Sequence, residues 1–394
     1  MKDSLHVPAV SVVMSVFNGE PYLKASVESI INQTFNNFEF IITDDGSVDN
    51  TWETLCAYAR QDARIILIQN QPNAGVVQSL NKGLDKSKAN IIVRQDADDI
   101  SHPERIQKQL DFLDTHPDYG LVAAVPQPID LDGNLLDLPF WNATENEEIQ
   151  ERLLENMCLC GPTIMVRREC LEAAGFFFSE GLDASEDYDL CLRLAEVTKI
   201  ASLEGSLYLY RQHPDSASNK RAQQQMTNKA IALERAVYRR YGKNQPQGLV
   251  AMVARDYLHA AVIGVARQDL DASRESLKRA LELDPSLLES DQPLEELIRA
   301  YTPNGSADTA LLYTESMFND LLPKTRQLTR MKFRLLSYIH MSEVFTGARK
   351  SQHERINAHL WRGLRYQPTL LLNRGVATIL VKDILGKIGP GTEK

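Results

Sequence analysis

Apolar residues fall in short runs separated by polar, turn-forming segments along the first third of the chain. Val10-Ser11-Val12-Val13-Met14-Ser15-Val16 is rich in β-branched residues and has the length of a buried parallel strand. Pro21 opens a helix in which Leu23, Val27, Ile30 and Ile31 recur at helical spacing. Residues 38–43 read as the next strand, ending in Asp44-Asp45-Gly46-Ser47, and Ser47 or Asp49 is placed to cap a helix over 51–60. A strand over 64–69, a helix over 77–86 and a strand over 90–94 follow. The stretch 104–116 is amphipathic, with Ile106, Leu110 and Leu113 on one face, and 119–125 is another strand. Repeated β-α-β units with connections this short predict an α/β fold: a mostly parallel twisted sheet flanked by helices.

The pattern changes near Asn219, and helical periodicity dominates from there. Residues 255–267 and 271–283 predict an antiparallel helix pair. The segment 276–288 matches 359–371 at six of 13 aligned positions, each a helix ending in x-x-Pro before a new apolar segment. Tetratricopeptide repeats pair helices in this way. The expected organisation is a catalytic domain over 1–218 and an all-α helical domain over 219–394.

In open α/β sheets, ligands bind outside the carboxyl ends of the strands. Three groups land there: Phe17-Asn18-Gly19, Asp44-Asp45, and Asp96-Ala97-Asp98-Asp99 directly behind Ile91-Ile92-Val93. Clustered carboxylates resist joint ionisation, and a divalent cation relieves that repulsion. Hard oxygen ligands select Mg²⁺ or Mn²⁺, ions usually shared with substrate phosphates. No G-x-G-x-x-G follows the first strand and no G-x-x-x-x-G-K-[ST] occurs, which argues against a dinucleotide or P-loop site.

Composition narrows the setting. The chain of 394 residues is 43% hydrophobic and 24% charged, within the range of ordinary globular proteins. The amino terminus lacks the apolar core of a signal peptide and no uninterrupted apolar run reaches bilayer length, so a cytoplasmic location is expected. Five cysteines, odd in number, argue against a disulfide framework, and Cys158 and Cys160 read as buried thiols. The net charge is −10, yet residues 322–394 carry 14 Lys/Arg against 4 Asp/Glu, a net of +10 that leaves −20 for the rest. Lys324, Arg326, Arg330, Lys332, Arg334, Arg362, Arg365 and Arg374 suggest peripheral docking to an anionic inner membrane surface. These basic residues form no nucleic-acid reading motif, so nucleic acid is not an expected partner.

Residues 8–218 resemble glycosyltransferase family 2, with the GT-A fold. The resemblance rests on Val12–Asn18 as opening strand and turn, on Asp44-Asp45-Gly46-Ser47-Val48-Asp49, and on Arg94-Gln95-Asp96-Ala97-Asp98-Asp99-Ile100-Ser101-His102-Pro103-Glu104-Arg105. It extends to Glu186-Asp187-Tyr188-Asp189 at a helix start and to the closing Tyr210-Arg211-Gln212-His213. Asn73-Ala74-Gly75 and Asn81 resemble the stretch under the nucleotide. The resemblance implies an inverting, metal-dependent transfer from a nucleotide-diphosphate sugar, with UDP favoured and dTDP second, to a glycan or lipid-linked glycan hydroxyl.

It further implies that Phe17, Asn18, Asp44, Asp45, Asn73, Arg94, Asp96, Asp99 and Arg211 line the donor site, with the choice between Asp44 and Asp45 open. Asp96 and Asp98 hold Mn²⁺ or Mg²⁺, and His213 either joins the metal shell or, with Arg211, meets the leaving phosphate. On the same resemblance Asp187 is the expected general base, with Glu186 second. Many relatives carry His before the proline of the acceptor-side segment, where this chain has Gly161 before Pro162, which puts acceptor identity in question. The competing function is a catalytically weak scaffold that binds partners through the helical half; the intact carboxylate set argues against it.

Overall fold

The computed structural model describes residues 7–138, 143–213, 221–288, 307–321, 326–349 and 353–379. In the first half the elements are β1 (Val10–Val16), α1 (Leu23–Ile31), β2 (Phe38–Asp44), α2 (Thr51–Gln61), β3 (Ile65–Gln69), α3 (Val76–Lys86), β4 (Ile91–Asp96), β5 (Ile100–Ser101), α4 (Arg105–Thr115) and β6 (Tyr119–Ile129). Then come α5 (Asn146–Arg152), a 3-10 turn at Gly161–Thr163, β7 (Met165–Arg167), α6 (Arg168–Ala173), α7 (Glu186–Leu194), β8 (Lys199–Arg211) and α8 (Ala222–Tyr241).

Among the described residues, eight strands form one sheet in the order β3-β2-β1-β4-β7-β6-β8-β5. The block β3-β2-β1-β4 is parallel, β6 and β8 are parallel, and β7 and β5 run the opposite way. The sheet is therefore mixed, with six strands in one direction. Sequence periodicity finds the parallel block and β6 and misses β5, β7 and β8; strands of two and three residues carry no measurable period, and the long β8 is broken by exposed residues at Glu204–Ser206.

Side-chain alternation along β1 explains the layers. Val10, Val12, Met14 and Val16 join Leu23, Val27 and Ile30 of α1 and Ile106, Leu110 and Leu113 of α4 in one buried cluster. Val13 points to the other face, where α3 crosses so closely that a Cβ on Gly83 would collide with it. Helices thus cover both faces, and the carboxyl ends of β1, β2 and β4 share one edge of the sheet.

By compactness the chain divides between Met252 and Val253, a division that falls within α9 (Gln247–Ala266) and leaves α8 with the sheet. By length and mean hydropathy α9 could cross a membrane, which the search for uninterrupted apolar runs overlooks because Arg255 and Asp256 break the run. Asp256 and ten apolar or glycine positions of α9 are buried in the protein, as in a core helix.

The second unit continues with α10 (Leu270–Leu283), α11 (Ala307–Ser316), α12 (Arg326–Arg349) and α13 (His353–Tyr366). α12 and α13 pack antiparallel over a core of Met341, Val344, Ile356, Leu360 and Leu364, and Ser337 Oγ donates to the Gly363 carbonyl at 2.8 Å. Both x-x-Pro segments fold alike: each proline opens a 3-10 turn, at Pro285–Leu288 and Pro368–Leu372.

Candidate active site

The carboxylate loop is built on clamped backbone. Gln95, fully buried in β4, donates through Nε2 to the carbonyls of Asp96 (3.0 Å) and Asp99 (3.2 Å), and Ser26 Oγ donates to the Asp96 carbonyl at 2.8 Å. The Tyr208 hydroxyl accepts from the Asp96 amide at 3.3 Å. Beneath them lies Arg105, fully buried. Its guanidinium donates to Gln109 Oε1, Gln95 Oε1, Ser101 Oγ and the carbonyls of Arg94 and Pro162, all at 2.9–3.1 Å. All five of its N–H groups are used, and every acceptor is neutral. Burial pulls the Arg105 pKa down, while Tyr208, Cys160 and the more distant Asp96 and Asp99 favour its charge.

On this platform one oxygen each of Asp96, Asp98 and Asp99 lies within 4.8 Å of the others. Asp99 is buried; its Oδ1 accepts the Arg211 amide at 2.7 Å, and its buried Oδ2 has no hydrogen-bond partner. Burial first, then the charges of Asp98 and Asp96, push the Asp99 carboxyl well above the usual range. Burial also raises Asp96, against the pull of Arg94. An orphaned buried oxygen beside two more carboxylates is a hard-oxygen donor set that fits a divalent cation. His213 Nε2 lies 2.9 Å from Asp98 Oδ2, so the structure brings His213 to the cluster.

Arg94 joins this cluster to the start of α7. Its Nε meets Asp96 Oδ1 and its Nη2 meets Glu186 Oε1, each at 3.1 Å, while its Cζ stands 5.7 Å from the Phe178 ring centroid. Burial opposes the Arg94 charge, but Asp96, Glu186 and Asp187 outweigh it and raise its pKa. Asp187 Oδ1 accepts the Tyr188 amide at 2.8 Å, and its charge also acts on Asp96. Both members of the Glu186-Asp187 pair thus act on the Asp96–Asp99 carboxylates, Glu186 through Arg94 and Asp187 through its charge.

The second edge of the site is more structural than the sequence suggests. Asp45 is spent on the 70–75 loop: Oδ1 accepts from Asn70 Nδ2 and the Ala74 amide (both 2.8 Å), and Oδ2 from the Gly75 amide (2.9 Å). Asn73 returns a bond to the Asp45 carbonyl at 2.9 Å. Asn81 is occupied by the backbone of Phe178 in both directions. Asp44, equally buried, accepts from the Ser47 amide and Gln69 Nε2. Phe17 is 51% exposed at the rim.

Of the two residues expected to cap α2, Asp49 meets the helix start and Ser47 does not. Ser47 Oγ instead accepts the amide of Asn18, which stands at φ 51°, and Asn50 takes the cap position while Asp49 Oδ1 accepts the Thr51 amide. Arg211 is committed to the loop: Nε donates to the Asp98 carbonyl and Nη1 to those of Asp130 and Leu131. All five cysteines are free, and burial raises the Cys158 and Cys160 thiols. Arg105, Gln95 and Tyr208 escape sequence reasoning as site-builders; position 105 lies inside the matched stretch, but nothing in a sequence marks an arginine as buried.

A family model described as glycosyl transferase family 2 matches residues 11–175. An uncharacterized glycosyltransferase of Methanocaldococcus jannaschii is 34% identical over 214 residues, which are 54% of this chain and 73% of that protein. The chain belongs to glycosyl transferase family 2. Another relative, the amylovoran biosynthesis glycosyltransferase AmsE of Erwinia amylovora, is 28% identical over 54% of this chain and 79% of its own length. Among solved structures, S. aureus TarS in complex with UDP-GlcNAc is 15% identical, with a TM-score of 0.48 over 91% of this chain and 92% of that one. The family 2 match begins at β1 and includes the whole of the Asp96–Asp99 loop.

The electrostatics give one direct test. Burial, reinforced by the charges of Asp187 and Asp96 and opposed by Arg94, pushes the Glu186 carboxyl up to about 7. A carboxyl raised on folding stabilises while it holds its proton; the contribution is complete below the unfolded value near 4.5 and is lost as pH rises through about 7. Thermal midpoints followed from about pH 5 to about pH 8 should therefore fall less steeply in Glu186→Gln than in the unsubstituted enzyme. Parallel slopes would contradict the assignment.

Proposed function

We propose that this family 2 glycosyltransferase transfers a sugar, with inversion, from a nucleotide-diphosphate sugar to a hydroxyl of a glycan or lipid-linked glycan in cell-surface polysaccharide synthesis. UDP-sugars are the first donor class, dTDP-sugars the second. The observation that carries the reading is the meeting, through Arg94, of a three-carboxylate cluster with the Glu186-Asp187 helix start. The named role of AmsE in amylovoran biosynthesis supports the polysaccharide setting.

Asp96 and Asp98 would hold Mn²⁺ or Mg²⁺, with His213 placed to complete the shell or to contact a phosphate. Such an ion supplies Lewis-acid stabilisation of a departing nucleoside diphosphate. Asp99 and Arg211 fix the loop rather than meet the donor directly. Of the two acids after β2, Asp45 is consumed by its loop, so we assign the nucleotide contact to Asp44, beside Phe17 and Asn18. Asp187 accepts the acceptor hydroxyl proton as that oxygen bonds to the anomeric carbon and the carbon–oxygen bond to the diphosphate breaks. Glu186, held by Arg94, fixes the helix start that presents Asp187.

General-base assistance contributes about 10²–10⁴-fold to rate. Asp187→Asn should lose transfer by about that factor while Mn²⁺-dependent donor binding persists. Near-normal transfer by this variant would overturn the base assignment.

The acceptor class connects to the basic carboxyl-terminal region. We place the enzyme in the cytoplasm, docked on the inner membrane surface through α13 and the segment after it. Trp361 is 62% and Leu372 86% exposed, and Arg362, Arg365 and Arg374 are exposed nearby; Lys324 lies outside the described residues. Each basic side chain near an anionic surface contributes about 1 kcal/mol. The protein should co-sediment with phosphatidylglycerol vesicles at low salt and not with phosphatidylcholine vesicles, and Arg362→Glu/Arg365→Glu should weaken binding. Absence of binding to the anionic vesicles would remove the docking claim.

A further inference from the structure

The 3-10 turn at Gly161–Thr163 lies directly against Asp187. A Cβ built on Gly161 would overlap Asp187 Oδ2 and come within 2.8 Å of its Cβ and Cγ. The backbone at Gly161 is not in the left-handed region, so the peptide conformation itself admits any residue with a side chain. What excludes a side chain is the Asp187 side chain, its Cβ as well as its carboxylate. Position 161 is thus glycine for a reason unrelated to turn geometry: the Asp187 side chain occupies the volume that a Cβ needs.

The turn is fixed from its other side. Arg105 Nη2 donates both to the Pro162 carbonyl at 3.0 Å and to the Arg94 carbonyl at 2.9 Å. Gln109 Nε2 donates to the Thr163 carbonyl at 2.8 Å, and Thr163 Oγ1 donates to the Cys160 carbonyl at 2.7 Å while accepting the Ala124 amide at 3.0 Å. One guanidinium nitrogen therefore ties the seat of Asp187 to the strand that carries Asp96. Because all these partners are buried and satisfied, the turn cannot yield to a new side chain without breaking them.

We propose that Gly161 is a positioning residue. By leaving its Cβ volume empty, it seats the Asp187 carboxylate against a turn locked to the Asp96–Asp99 loop, and so sets where the proton acceptor stands relative to the metal-side carboxylates. The proposal rests on the reading of Asp187 as the base. In this enzyme the base occupies that volume, and the acceptor hydroxyl must approach Asp187 from the side opposite the turn.

The test is a double-mutant cycle of Gly161→Ala and Asp187→Ala, read first by thermal midpoint, which needs no substrate. Gly161→Ala should lower the midpoint less in the Asp187→Ala background than it does with Asp187 present, because removing the carboxylate removes the overlap with Oδ2 and Cγ and leaves only the 2.8 Å approach to the Cβ of residue 187. The second readout is UDP release from UDP-glucose, UDP-galactose or UDP-N-acetylglucosamine with Mn²⁺. Here kcat of Gly161→Ala should fall by about 10- to 100-fold, the scale of an ångström-sized misplacement, with KM for the donor essentially unchanged. In the Asp187→Ala background the Gly161→Ala change should cost no further rate. An equal, nonzero stability loss in both backgrounds, or undiminished kcat in Gly161→Ala, overturns the proposal. If Asp187→Ala itself leaves UDP release untouched, the base assignment fails instead, and the stability cycle still reports on the seat.

Discussion

Two buried arginines make an otherwise unfavourable concentration of negative charge tolerable, and the site depends on how they divide that work. Asp96, Asp98 and Asp99 crowd the end of β4, and Glu186 and Asp187 begin the helix beside them. Arg94 neutralises across the gap, bonding one acid from each group. Arg105 has only neutral acceptors and acts through the backbone, fixing the carbonyls on which both groups are mounted. A buried guanidinium bonded only to neutral groups is costly; the field of the nearby acids recovers part of that cost, and burial still holds the Arg105 pKa below its ordinary value. Asp99 keeps one buried oxygen without a geometric hydrogen-bond partner, and burial and the charges of Asp98 and Asp96 push its carboxyl well above the usual range.

This arrangement makes the fold and the chemistry one problem. The parallel block delivers Asp44 and Asp96 to a common edge, and the antiparallel β7 follows directly from the turn on which Asp187 rests. The sheet's change of direction at β7 therefore brings the 161–163 turn against β4, where Arg105 can reach both. A sheet with only parallel strands would place a crossover connection there instead.

Much of this was legible in the sequence. The apolar run ending in three aspartates announced both a strand and the carboxylate cluster behind it, and the β-α-β spacing announced the parallel block. The rest depended on contacts that no local pattern encodes. Asp45 reads as a donor-site residue and is in addition a loop clamp, because three donors from 70–75 converge on it in space. Ser47 looked like a cap and is claimed by Asn18 from another loop. Gly161 stood out only as a departure from relatives, and its meaning required the position of Asp187, which is distant in sequence. Arg105 reads as one more charge on an amphipathic helix until its burial is known.

The central claim is that the Asp96–Asp99 loop binds a divalent cation jointly with a nucleoside diphosphate. A ligand at 100 times its Kd raises stability by about 2.7 kcal/mol. The decisive measurement is the thermal midpoint with Mn²⁺, with UDP, and with both, in the unsubstituted enzyme and in Asp98→Ala. The account predicts that the pair stabilises the unsubstituted enzyme by more than the two ligands do separately, and that this excess vanishes in Asp98→Ala. An equal excess in both proteins, or none in the unsubstituted enzyme, would contradict it.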